Sequence, residues 1–296
     1  MKIRNIQIEK VDLGLGNPYT ISYKTVSAVY AIVLKIETKD AIGLGSSNPS
    51  KYVVGEDVQE TFELLQNENW DWLIGKDIRQ IYSLLDQCYR RFANHPGATA
   101  ALDIALLDLF GKALNIPMVD FWGRKYSKML TSMTIGIMDS ASTLASAKEE
   151  VAKGFKILKI KTGNNLEEDI EKIATLREQL GSEILIRVDA NQGYDLESFK
   201  TFYHASEKYN LEIIEQPLPV ATHHELAELD AVYTNTVAAD ESLKNSQDAM
   251  NIIANANNSC QIFNLKLMKT GGVWEALKTA HLASLCLLYT SPSPRD

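Results

Sequence analysis

The chain has 296 residues, 45% of them hydrophobic, and a formal net charge of −8, enough for one large globular domain or two ordinary ones. No basic run is present, which argues against nucleic-acid binding but is compatible with a local site for an anionic substrate. Cys88, Cys260 and Cys286 are odd in number and form no C-x-x-C pair, so a disulfide framework and a zinc site are not expected. The opening MKIRNIQIEK lacks a long apolar run and reads as neither signal peptide nor membrane anchor; the expectation is a cytoplasmic enzyme.

Residues 1–45 read as strands. VYAIVLKIE at 29–37 is rich in branched side chains, and Gly43 and Gly45 punctuate a turn or hairpin. From Glu56 the period turns helical. Phe62, Leu64 and Leu65 open one segment, and Ile78, Ile81, Leu84 and Leu85 recur at helical spacing in a second. Trp70 and Trp72 lie in a loop-like stretch and read as packing residues. Residues 98–114 set small side chains among leucines, which predicts a helix packed closely on its neighbours. Residues 1–125 thus read as an α+β domain.

From about residue 130, short apolar runs alternate with amphipathic stretches. The strand-like runs are 132–137, 156–161, 183–189, 211–215, 237–240 and 261–266; helix-like segments at 166–180, 198–208 and 246–255 lie among them. Such alternation predicts a parallel sheet with right-handed crossovers, whose closed form is a β/α barrel. Five runs end in a charge: Lys161, Asp189, Glu215, Asp240 and Lys266, at gaps of 28, 26, 25 and 26 residues. Each gap fits one strand, one helix and two loops. The carboxyl ends of barrel strands face one mouth, where active sites are built. Polar residues that merely end strands explain one or two such cases, not five.

Three converging carboxylates without histidine or cysteine make an all-oxygen site suited to Mg²⁺ or Mn²⁺. A proton next to a carboxylate is very weakly acidic, and a divalent cation stabilises the enediolate charge that its removal creates. The base must still be neutral part of the time. Lys159 and Lys161 are two apart on a strand and share a face, so mutual repulsion favours a neutral Lys161. Taken alone, such a K-x-K strand also fits two lysines that are simply exposed. Lys266, on the sixth strand, would reach the opposite face of the planar intermediate, which gives inversion at carbon.

LKIKTG (158–163), VDANQG (188–193), IEQP (214–217), ADES (239–242) and NLKLMKTGG (264–272), in this order, resemble the muconate-lactonising subgroup of the enolase superfamily, a superfamily whose lysine bases and Mg²⁺ ions are a known pattern. GATAALDIALLDLFGK at 97–112 is similar to a helix of that family's capping domain. The resemblance implies an α/β protein: an N-terminal α+β capping domain over residues 1–125 and a TIM-type barrel carrying the catalytic site over 126–286. It implies Mg²⁺ ligands at Asp189, Glu215 and Asp240, an acid/base pair at Lys161 and Lys266, and an accessory Lys159. Lys269 is the rival for the second proton carrier. TSMTIGI (131–137) and PSKYVVGE (49–56) are most similar to dipeptide epimerases of the L-Ala-D/L-Glu type. They imply a dipeptide substrate, with Lys24, Thr134 and Asn191 as contacts. Lys24 stands where arginine is frequent in that group and lacks its bidentate fork. o-Succinylbenzoate synthase and muconate-type cycloisomerase chemistry are the alternatives, and a homo-oligomer is a further implication.

The barrel reads as incomplete. Residues 130–296 number 167, against roughly 200–250 for a whole barrel, and six β/α units are counted. The Asp-x-Asp segment that binds the substrate amino group in the dipeptide epimerases has no counterpart. Residues 287–296, within LLYTSPSPRD, read as a non-native tail, and the expectation is a truncated chain that folds poorly or is inactive. His223, His224 and Glu225 have no partner histidine at metal spacing, and Gly271-Gly272 lacks a phosphate-binding frame.

Overall fold

The computed structural model describes residues 1–14, 19–21, 24–26, 28–254, 258–286 and 288–292. It divides into two compact units: Met1–Gly16, Ala28–Ser127 and Lys266–Thr279 form the first, and Asn17–Ser27, Lys128–Leu265 and Ala280–Asp296 the second. No helix among the described residues is long and apolar enough to cross a membrane.

In the first unit, β1 (Asn5–Asp12) belongs to an antiparallel sheet with two later strands. A short hairpin of β2 (Tyr19–Ile21) and β3 (Lys24–Val26), which falls with the second unit, intervenes in sequence. The sheet continues with β4 (Tyr30–Glu37) and β5 (Ile42–Ser47), in the order β1-β4-β5. Alternate residues of β4, among them Ile32, Leu34 and Ile36, face a core shared with Leu84, Leu85, Leu102 and Leu106. The helix Pro96–Leu114 begins with proline, which is suited to a first turn, and ends at Asn115 in the left-handed conformation (φ 56°). Its small residues are there because it lies on the backbone of β5. A Cβ at Gly45 would sit 1.9 Å from the Ala101 carbonyl oxygen, and one at Gly43 2.3 Å from that of Ala105. Trp70 and Trp72 pack with ring centroids 6.2 Å apart. Asp103 of the same helix accepts hydrogen bonds from Val273 N (2.7 Å) and Trp274 N (3.3 Å), and the single Tyr89 hydroxyl proton lies between Asp103 Oδ2 (3.1 Å from Oη) and the Gly271 carbonyl (3.0 Å). These bonds fasten the turn at Gly271-Gly272 to this unit. Burial pushes the Asp103 carboxyl up to about 7.

The second unit is a parallel sheet of β6 (Ser132–Ile135), β7 (Ile157–Lys161), β8 (Leu185–Asp189), β9 (Ile213–Glu215), β10 (Val237–Ala239), β11 (Ile262–Leu265) and β12 (Tyr289–Pro292), neighbours in sequence being neighbours in space. This is a curled partial barrel of seven strands, not six. The seventh strand, β12, pairs in parallel with β11 inside the stretch read as a tail. The helices Ser140–Ala152, Leu166–Leu180, Leu196–Ser206 and Ser246–Ile253 follow successive strands except β9. Each starts where Asp139, Asn165, Asp195 or Asn245 accepts a hydrogen bond from a first-turn amide. Leu158, Ile160, Ile186, Val188, Ile214, Val237, Ala239 and Phe263 make the core on one face of the sheet.

Candidate active site

Alternation along each strand decides what the other face carries. Low on that face, Ile213, Ala238 and Ile262 form a small apolar layer. One step nearer the carboxyl ends come Glu215, Asp240 and Asn264; beside them are Asp189 at the end of β8 and Lys159 and Lys161 on β7. Lys161, Asp189 and Glu215 end their strands, and Asp240 and Lys266 are the first residues beyond theirs.

The two lysines are not simply exposed: Lys159 and Lys161 retain 2% and 4% of their surface. Charges so buried need partners. Lys159 Nζ donates to Asp189 Oδ2 at 2.8 Å and Glu215 Oε1 at 3.1 Å. Lys161 Nζ donates to the same Asp189 Oδ2 at 2.8 Å and to Asn191 Oδ1 at 2.9 Å. Asn191 in turn donates from N to Asp189 Oδ1 (3.0 Å) and from Nδ2 to Glu241 Oε1 (3.2 Å). Asn264 Nδ2 donates to Glu215 Oε1 at 2.8 Å. Asp189, Lys159, Lys161, Glu215 and Asn191 thus form one connected network. Asp240 is buried beside it and tied in through Gln216, whose Oε1 accepts from Asp240 N at 2.9 Å.

Asp189, Glu215 and Asp240 offer carboxylate oxygens alone, a donor set that suits a hard divalent cation. Among the described residues, no three acidic, histidine or cysteine side chains are gathered tightly enough to hold a metal ion in these rotamers; Lys159 bridges Asp189 and Glu215 instead. The donor chemistry fits a cation, with the carboxylates now turned to the lysines.

The other expected residues lie as follows. Thr134 is half-buried on β6, in register with Lys159. Lys24 opens β3, and its side chain lies outside the description. Lys266, half-buried, precedes the short helix Leu267–Thr270, which contains the buried Lys269; both lysines fall with the first unit. Glu241, Gln216 and Asn264 were not singled out as site residues in the sequence, although Glu241 and Gln216 directly follow residues that were and Asn264 lies two before Lys266. His223 is buried, with Nδ1 3.5 Å from Gln216 Nε2, and burial lowers its pKa to about 4.

Residues 3–123 match the mandelate racemase/muconate lactonizing enzyme N-terminal domain, and residues 142–291 the enolase C-terminal domain-like family. An L-Lys-D/L-Arg epimerase of Desulforapulum autotrophicum is 44% identical over 284 residues, 96% of this chain and 80% of the relative. An L-Ala-D/L-Glu epimerase of Clostridium acetobutylicum is 31% identical over 96% of this chain and 80% of its own length. The crystal structure of a dipeptide epimerase from Methylococcus capsulatus, complexed with Mg and the dipeptide L-Arg-D-Lys, superposes with a TM-score of 0.94 at 35% identity, covering 98% of this chain and 82% of that one. With both halves of the fold matched and Lys161, Asp189, Glu215 and Asp240 on one face of the parallel sheet, the chain belongs to the mandelate racemase/muconate lactonizing enzyme family of the enolase superfamily and is an isomerase of the racemase and epimerase kind.

Proposed function

We propose that this chain epimerises a dipeptide by moving the proton on the carbon next to the terminal carboxylate. Asp189, Glu215 and Asp240 would hold Mg²⁺, with Mn²⁺ as a substitute. The cation, when bound, supplies stabilisation for negative charge building on the substrate carboxylate. Lys161 removes the proton from one face and Lys266 returns one to the other. Lys159 shares Asp189 and Glu215 and so holds the two carboxylates beside Lys161. Asn191 holds Lys161 by its Oδ1 and so fixes where the amine points. The observation that carries the reading is Asp189: a single buried carboxylate oxygen accepts from both β7 lysines.

For the substrate, we place cationic dipeptides of the L-Lys-L-Arg kind ahead of the L-Ala-L-Glu kind expected from the motifs. The support is the 44% identity to an L-Lys-D/L-Arg epimerase, against 31% to an L-Ala-D/L-Glu epimerase. Incubation of each dipeptide in D₂O with Mg²⁺ should put deuterium on the α-carbon together with inversion, faster for L-Lys-L-Arg. Lys161→Ala and Lys266→Ala should each abolish inversion. Epimerisation at the wild-type rate by both variants sinks the mechanism, and net dehydration or ring closure in place of inversion points to the other chemistries of the superfamily.

A further inference from the structure

Gln216 follows Glu215 directly and is fully buried. Its backbone is left-handed at φ 36°, a conformation that side-chain-bearing residues rarely adopt, and it precedes Pro217, which restricts it further. Asn191 (φ 44°) and Gln192 (φ 70°), just past Asp189, share the left-handed conformation. Strain of this kind persists where the surroundings over-determine it and clusters at functional sites.

The hydrogen bonds of Gln216 are what over-determine it. Its Oε1 accepts from Asp240 N (2.9 Å) and Ser242 N (3.0 Å); its Nε2 donates to Ser242 Oγ (2.7 Å) and the Leu218 carbonyl (2.8 Å). Its main chain donates to the Ala238 carbonyl at 2.9 Å and accepts from Gln192 N at 2.8 Å. One side chain therefore spans from the end of β9 to the backbone on both sides of the Asp240 carboxylate. Its main chain also reaches the loop after β8. The ends of the three strands that bear Asp189, Glu215 and Asp240 meet at this residue.

We infer that Gln216 is a positioning residue that sets the spacing of the three carboxylates and thereby the affinity for Mg²⁺. The inference rests on the proposed metal site. Groups that orient metal ligands typically contribute about 10–100-fold to metal affinity. The left-handed turn aims the amide of Gln216 at Asp240, while the preceding Glu215 points into the site.

The test is calorimetric titration of the EDTA-stripped full chain with MgCl₂, with the melting point recorded in EDTA. Gln216→Met keeps the shape and removes every side-chain hydrogen bond of this residue; it should weaken Mg²⁺ binding about tenfold or more. A merely structural role lowers the melting point in EDTA and leaves the dissociation constant alone, so a constant within twofold of wild type overturns the inference. Where Gln216→Met does not fold, Ser242→Ala decides. It removes one hydrogen bond and should weaken binding about threefold, and an unchanged constant overturns the inference. Wild-type chain that binds no Mg²⁺, or Asp240→Asn that binds like wild type, overturns the metal site and this inference together. Wild-type binding with an unchanged Gln216→Met overturns the inference alone.

Discussion

A single methyl group at Gly193 should disturb both the stability of the second unit and its chemistry. A Cβ there would lie 2.3 Å from the Gly163 carbonyl oxygen, 2.5 Å from Gly163 Cα and 2.7 Å from Gly163 C. All three are backbone atoms and cannot swing away. Non-bonded carbon atoms settle at about 3.5–4.0 Å, so one loop must retreat by about 1 Å. Overpacking of this kind costs about 1–3 kcal/mol. At about 2–4 °C per kcal/mol for domains of 150–250 residues, Gly193→Ala should melt about 2–12 °C below wild type. The two loops in contact begin directly after Lys161 and Asp189, and a 1 Å displacement of reacting groups can cost about 100-fold in rate. Circular-dichroism melts in EDTA read the first effect, and α-proton exchange in D₂O the second. A variant that melts within 1 °C of wild type and exchanges at the wild-type rate refutes the close-packing argument.

Lys159→Met leaves the Asp189 and Glu215 carboxylates without the ammonium they share, so stability in EDTA should fall by about 3–5 kcal/mol, with part of the loss restored by MgCl₂; urea unfolding with and without the cation measures both, and an unchanged midpoint in EDTA contradicts the ion-pair geometry. His223, its folded pKa lowered to about 4 by burial, stays neutral where the unfolded chain takes up a proton near its ordinary value of 6.5. Its contribution is therefore present above pH 6.5 and lost as pH falls toward 4, by at most about 3 kcal/mol; His223→Gln should flatten that slope in urea titrations, and an identical slope rules the assignment out. Burial pushes the Cys260 thiol up to about 12 and the Cys88 thiol well above its usual range, whereas Cys286 is exposed. Iodoacetamide should accordingly label Cys286 alone in the native chain, as read by peptide mass spectrometry, and native labelling at Cys88 or Cys260 would contradict the packing.

Strand-end charges were legible because a parallel sheet repeats one unit, and the repeat spaced Lys161, Asp189 and Glu215 like its period. The bounds of the helix Leu166–Leu180 were equally readable, since amphipathic spacing and Asn165 mark them together. β12 was not. Tyr289–Pro292 is only four residues long, with Thr290 its one branched side chain and a proline at its end, so its sequence carries little of a strand's mark. Gln216, Glu241 and Asn264 escaped for another reason. Their roles depend on left-handed turns and on contacts between neighbouring strands, which no period along one strand records. His223 and the Gly271-Gly272 pair are simpler cases. Neither has the spacing of a ligand site in the sequence, and the structure accounts for them by burial beside Gln216 and by a turn bonded to Tyr89.

The five residues of β7 face two ways: Leu158 and Ile160 toward the core, Lys159 and Lys161 toward the carboxylates. Insertions and deletions near this strand are therefore not graded in effect. One residue gained or lost within it exchanges the two faces, setting ammonium groups into the core and isobutyl and sec-butyl groups against Asp189. Two residues would preserve the faces but slide Lys161 away from Asn191 by one full pleat. Length variation among homologous chains should consequently be absent between Ile157 and Lys161 and collect instead in the loops ahead of it, so that the spacing of this one strand is inherited as a unit.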